Sequence, residues 1–95
     1  MSCGTHSYGN ITKNKMDAIL KALTDNGASI SGNNPWDVDT NNNKVKLRGE
    51  WNEAASTLNI TVNDSNWYVP CSKIWETVDD LMHHIQALPD TALPS

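Results

Sequence analysis

Lys44-Val45-Lys46-Leu47-Arg48-Gly49-Glu50-Trp51, joined through Asn52–Ser56 to Thr57-Leu58-Asn59-Ile60-Thr61-Val62-Asn63, is the stretch that decides the fold. In the first run Val45, Leu47, Gly49 and Trp51 share one face, and Lys44, Lys46, Arg48 and Glu50 share the other. In the second, Leu58, Ile60 and Val62 alternate with Thr57, Asn59, Thr61 and Asn63. A period of two is the signature of a half-buried strand. Strands that are apolar on one face only belong in an antiparallel sheet with a single covered face. The rest of the chain must therefore supply the cover.

Two amphipathic stretches do so. Between Ile11 and Gly27, Met16, Ile19, Leu20 and Leu23 fall at i, i+3, i+4 and i+7, the stripe of a helix. Thr12 is placed as N-cap, with Ile11 and Met16 at the spacing of a hydrophobic staple, and Asn26-Gly27 as the stop. A second helix is expected from about Cys71 or Ser72, with Ile74, Val78, Leu81, Ile85 and Leu88 on its stripe and Trp75 and Met82 widening it. Pro89 cannot continue the ladder and ends it.

Around the two decisive strands, Asn63-Asp64-Ser65-Asn66 is turn chemistry, and Trp67-Tyr68-Val69 is expected as a short third strand closed by Pro70. Upstream, Asn33-Asn34-Pro35 is a turn, Trp36-Asp37-Val38-Asp39 alternates, and Thr40-Asn41-Asn42-Asn43 suits a hairpin loop. Residues 28–32 can add one more short strand. The expectation is an α+β two-layer sandwich in α-β-β-β-α order, an antiparallel meander with both helices on one face. Residues 1–10 are expected as a flexible leader, 11–88 as the single domain and 89–95 as a flexible tail.

Composition agrees with one small folded unit. Of 95 residues, 38% are apolar and 19% charged, with a net charge of −4, too apolar for a disordered chain. No apolar run approaches the ~20 residues that span a bilayer. The opening residues lack the basic start and apolar core of a secretory signal. Two cysteines, Cys3 and Cys71, are too few for a disulfide framework. Together these point to a reducing cytoplasm, with no disulfide. Twelve Asn explain three N-x-S/T matches, at Asn10, Asn59 and Asn63, without glycosylation.

The unusual aromatic usage, four Trp and no Phe, leads to the candidate sites. Trp51 and Trp75 fall on apolar stripes and read as core. Trp36 with Asp37, and Asn66 with Trp67 and Tyr68, place indoles beside amide and carboxylate groups, a rim able to hold a sugar or a peptide. Lys44, Lys46 and Arg48 make a basic strand face suited to an acidic partner. Nucleic acid is disfavoured, because the alternation turns Trp51 away from that face and the chain is acidic overall.

Glu76, Asp79 and His83 on the second helix are candidate metal ligands, Asp79 and His83 at i, i+4. They form no closed set of the kind that holds structural zinc, and neither a metal nor a cofactor is expected. Asp37–Asn41 opens like a calcium loop but carries Asn42 and Arg48 where Gly and a bidentate Glu are needed. Cys71 has no histidine within reach on its own helix to activate it. The function expected is a small, soluble, non-catalytic binding or interaction module, a monomer or weak homodimer with a protein or small-molecule partner. The alternatives are a small enzyme, or a ligand carrier with a pocket between helices and sheet lined by Met16, Met82 and Trp75.

Overall fold

The computed structural model describes residues 3–42, 44–66 and 68–88. Their elements run β1 (Gly4–Tyr8), α1 (Lys13–Asp25), β2 (Ser29–Gly32), β3 (Trp36–Asp39), β4 (Lys46–Asn52), β5 (Thr57–Asp64) and α2 (Cys71–Ala87). All five strands form one antiparallel sheet in the order β1-β5-β4-β3-β2.

The register carries the alternation across the sheet. Leu58, Ile60 and Val62 of β5 face Trp51, Gly49 and Leu47 of β4, and Leu47 faces Val38 of β3. These side chains, with Tyr8 and Ile11, pack against Met16, Ile19, Ile74, Trp75, Met82 and Ile85 from the two helices. Both helices therefore lie on the same side. The other face carries only polar side chains, among them Thr5, Ser7, Asn59, Thr61, Arg48 and Asp37.

The expected α-β-β-β-α order is overturned in three places, one of them β3 (Trp36–Asp39), an alternating stretch not counted among its three strands. The segment assigned to the leader contains β1, which pairs with β5 from Gly4↔Val62 to Tyr8↔Leu58. And the expected third strand does not form: Tyr68 and Val69 lie in a turn closed by a hydrogen bond from the Val69 N–H to the Asn66 carbonyl, at 3.0 Å. Trp67 lies outside the described residues. These last two are linked, since the place beside β5 that a third strand would take is filled by β1. The short strand at 28–32 is present as β2 and forms the opposite edge.

The helix ends follow local chemistry. The Thr12 hydroxyl accepts from the Lys15 N–H at 3.3 Å, as an N-cap should. At the other end Gly27 takes φ +93°. The Gly27 N–H then reaches the Thr24 carbonyl and the Ala28 N–H the Leu23 carbonyl, both at 3.0 Å, a Schellman motif. Lys15 is buried, and its ammonium donates to the Gln86 carbonyl at 3.1 Å, in the last turn of α2. A cation there satisfies an unpaired carbonyl and meets the negative end of the helix dipole. It also fixes the start of α1 against the end of α2. In the turn before β3, the Asn34 amide mimics a neighbouring strand. It donates to the Trp51 carbonyl at 2.8 Å and accepts from the Trp51 N–H at 2.9 Å.

A second expectation also falls: Cys3 and Cys71 are joined by a disulfide, their Cα atoms 5.5 Å apart. The separation suits such a bond. Cysteine arithmetic alone misses it because a flexible leader would not hold Cys3 in place. In fact the Cys3 N–H donates to the Val62 carbonyl at 3.1 Å, which extends the β1–β5 ladder and brings the thiol to the start of α2.

Candidate functional site

Four features of the surface could carry function, and the first was invisible to periodicity. β1 is strapped to α2 along a seam of three rungs. Cys71, Trp75 and Asp79 recur at i, i+4 and i+8, so one stripe of α2 faces the strand. Cys71 bonds Cys3. Trp75 stacks on His6 with ring centroids 3.6 Å apart and planes 8° from parallel, and its indole N–H donates to the Cys3 carbonyl at 2.9 Å. Asp79 accepts a short hydrogen bond from the Tyr8 hydroxyl and lies 3.8 Å from His6 Nδ1. Burial, the Asp79 hydrogen bond and the Asp79 charge together push the Tyr8 hydroxyl well above its ordinary pKa, since each disfavours the phenolate. Both thiols are consumed in the disulfide, so neither is a nucleophile. The seam acts as a fastening.

The second feature is the polar sheet face with the expected basic strip. Lys46 and Arg48 do point outward, and Lys44 lies exposed in the preceding turn. Across the strands, however, Asp37 stands opposite Arg48, Asp39 opposite Lys46, and Asp64 on the far side of Lys46. Arg48 Nε also approaches Glu50 at 3.6 Å. Carboxylates therefore interleave with the cations, and the field over this face is mixed. Asp37 and Lys46 border a shallow depression of about 340 Å³ with Ser29, Ser31, Asp39 and Asn63. The calcium-like stretch is a turn here: the Asp39 carboxylate accepts from the Asn41 N–H at 2.9 Å, and the Asn41 amide donates to the Gly27 carbonyl at 2.8 Å.

The third is the expected aromatic rim, of which Trp36, Asp37, Asn66 and Tyr68 are described. Trp36 sits half-buried on the helix side of the sheet, in the row of Gly49 and Ile60. Asn66 and Tyr68 follow the opposite end of that sheet, beyond the row of Asp39, Lys46 and Asp64, and the Asn66 amide donates to the Tyr68 hydroxyl at 2.9 Å. Tyr68 is 60% exposed. The Trp67 half of the rim lies outside the described residues. Glu76, Asp79 and His83 are not gathered either. Glu76 lies beside Lys73 at 3.8 Å while Asp79 turns to β1. Among the described residues no group of three or more His, Cys, Asp or Glu side chains is placed to share a metal ion.

The fourth feature is a cleft of about 580 Å³ between the helices and the sheet. α1 and α2 are tied together where Lys15 meets Gln86, and the cleft opens at the other end of the pair. Its walls are Leu23 and Ala22 from the end of α1 and Ile74, Val78 and Leu81 from α2, and Leu47 lies at its base. Ala22 and Ala28 line it with short side chains. A pocket between helices and sheet was one expectation, but its lining differs. Met16, Met82 and Trp75 are buried in the core and fill the room they were expected to border. The volume falls in the roughly 300–1,000 Å³ range of small-molecule sites, and the lining is mainly apolar with polar groups at the edge, as such sites require.

Among the described residues no helix is long and apolar enough to cross a membrane. Comparison of the chain with known protein families, with curated proteins and with solved structures finds no match.

Proposed function

We propose that this protein is a small non-catalytic binding module whose ligand occupies the cleft between α1, α2 and the sheet. The observation that carries the reading is the cleft itself, where the aliphatic side chains Leu23, Val78 and Leu81 pack against the core yet are only partly buried. Covering partly exposed apolar area stabilises a complex by roughly 25 cal/mol per Å² before the costs of association. The interleaved carboxylates disfavour a polyanion on the Lys46/Arg48 face, and the separation of Trp36 from Asn66 and Tyr68 disfavours a shared aromatic seat. The reading includes a monomer or weak homodimer placed in the cytoplasm. There the Cys3–Cys71 bond has to withstand cellular thiols, which alkylation of free thiols at the moment of lysis measures.

N-phenyl-1-naphthylamine, a neutral dye that brightens in apolar surroundings, tests the cleft. Saturable one-to-one binding is expected for the native protein. Val78→Arg and Leu23→Gln, each checked for an unchanged far-ultraviolet spectrum, should lose it. No saturable binding, or equal binding by both folded variants, would overturn the proposal.

A further inference from the structure

We infer that the ligand of the cleft is an apolar molecule bearing a single carboxylate, its chain against Leu23, Val78 and Leu81 and its head group at Lys73. The inference rests on the cleft being the binding site, and it concerns what that site selects. Four uncharged polar side chains border the cleft, Asn26, Thr40, Asn42 and Thr77, and three of them already direct a donor into the fold. The Asn26 amide donates to the Ala22 carbonyl at 2.7 Å, the Thr40 hydroxyl to the Val45 carbonyl at 2.9 Å, and the Thr77 hydroxyl to the Lys73 carbonyl at 3.2 Å. A strongly polar ligand would lose its water and find few partners in exchange.

Lys73 differs from these. It is the one charged residue among the described residues that line the cleft. Its ammonium lies 3.8 Å from Glu76, both side chains largely exposed, too far for a hydrogen bond and only weakly held. It is therefore available to a ligand's head group at little cost. Its charge attracts an anion and repels a cation at the same mouth. One ammonium on an apolar wall matches one carboxylate. A phosphate monoester, with nearly two charges and three acceptor oxygens, would leave most of its demand unmet.

Displacement of N-phenyl-1-naphthylamine by decanoate, decan-1-ol and decyltrimethylammonium, all below their aggregation concentrations at pH 7, separates the possibilities. Decanoate should compete about fivefold better than decanol, as expected for an ion pair open to water. The cationic analogue should compete worse than decanol, and added salt should narrow both gaps. Lys73→Gln should bring decanoate to the level of decanol, and Lys73→Arg should restore the preference. Equal competition by decanoate and decanol, or a preference that survives Lys73→Gln, overturns the charge selection while leaving the cleft as a binding site. If the dye and decanol both fail to bind, the cleft reading and this inference fall together.

Discussion

Replacing both Cys3 and Cys71 with Ser should lower stability without changing the fold, and the size of the loss follows from the loop the bond closes. The two residues are 68 apart in sequence. The chain-entropy relation gives about 4 kcal/mol at 25 °C for a loop of that length, acting through the unfolded chain. On the native side β1 has other attachments. It pairs with β5 at five positions, Trp75 bonds the Cys3 carbonyl, and His6 and Tyr8 contact α2. The variant should therefore keep its native spectrum. Small domains are stable by only about 5–15 kcal/mol, so the loss is a large share of the total. Urea unfolding followed by tryptophan fluorescence should show it, with a steeper denaturant dependence because the unlinked chain exposes more surface. At about 4–8 °C per kcal/mol the melting temperature should fall by about 15–30 °C. Reduced wild-type protein should behave like the variant. A loss below about 1 kcal/mol with an unchanged slope would mean that the bond does not constrain the unfolded chain as described.

Tyr8→Phe should flatten the alkaline limb of the stability profile. Because folding raises the Tyr8 pKa above its ordinary value near 10, the stabilisation is complete below pH 10 and is lost as pH rises toward the folded-state pKa. Urea midpoints between pH 8 and pH 11 read this, and equal slopes for the two proteins would refute it. Lys15→Met removes a charged donor from the Gln86 carbonyl while keeping most of the packing, and should cost about 1.5–3 kcal/mol in urea unfolding. An undiminished midpoint would show that the bond adds nothing. Gly27→Ala forces a side chain into the left-handed region at φ +93° and should cost about 1–2 kcal/mol, visible as a lower melting temperature. Stabilisation instead would contradict the C-cap geometry.

What could be read from the chain beforehand was whatever a single segment determines. The alternation of Leu58, Ile60 and Val62 needs only its own strand, and β5 runs where it was expected. The Thr12 cap and the Gly27 stop are likewise local, and α1 lies between them. β1 escaped because its inward positions are Gly4, His6 and Tyr8, none aliphatic, so no apolar period marks it. What buries Tyr8 and engages His6 comes from α2, and spacing within one segment cannot report a partner so distant. The disulfide was lost with the strand that positions Cys3. The cleft was misplaced for a related reason. Apolar stripes say which faces turn inward, yet not where two helices part. Met16 and Met82 lie where the helices and sheet close fully, and Leu23 and Val78 where they do not.

The strand order also governs the sequence in which the chain can complete itself. β2, β3, β4 and β5 pair as successive neighbours, so each joins the one just made across a short turn. Such contacts close quickly because little loop entropy opposes them. β1 is synthesised before all of them, yet its place lies beside β5, with Thr5 meeting Thr61 56 residues later. Of the five strands, the earliest in sequence thus pairs with the latest, and without it one edge of β5 stands open. In the folded protein Cys3 meets Cys71 where that edge has closed and α2 lies across it. The disulfide thus closes the native chain at the place where its earliest strand and its last helix come together.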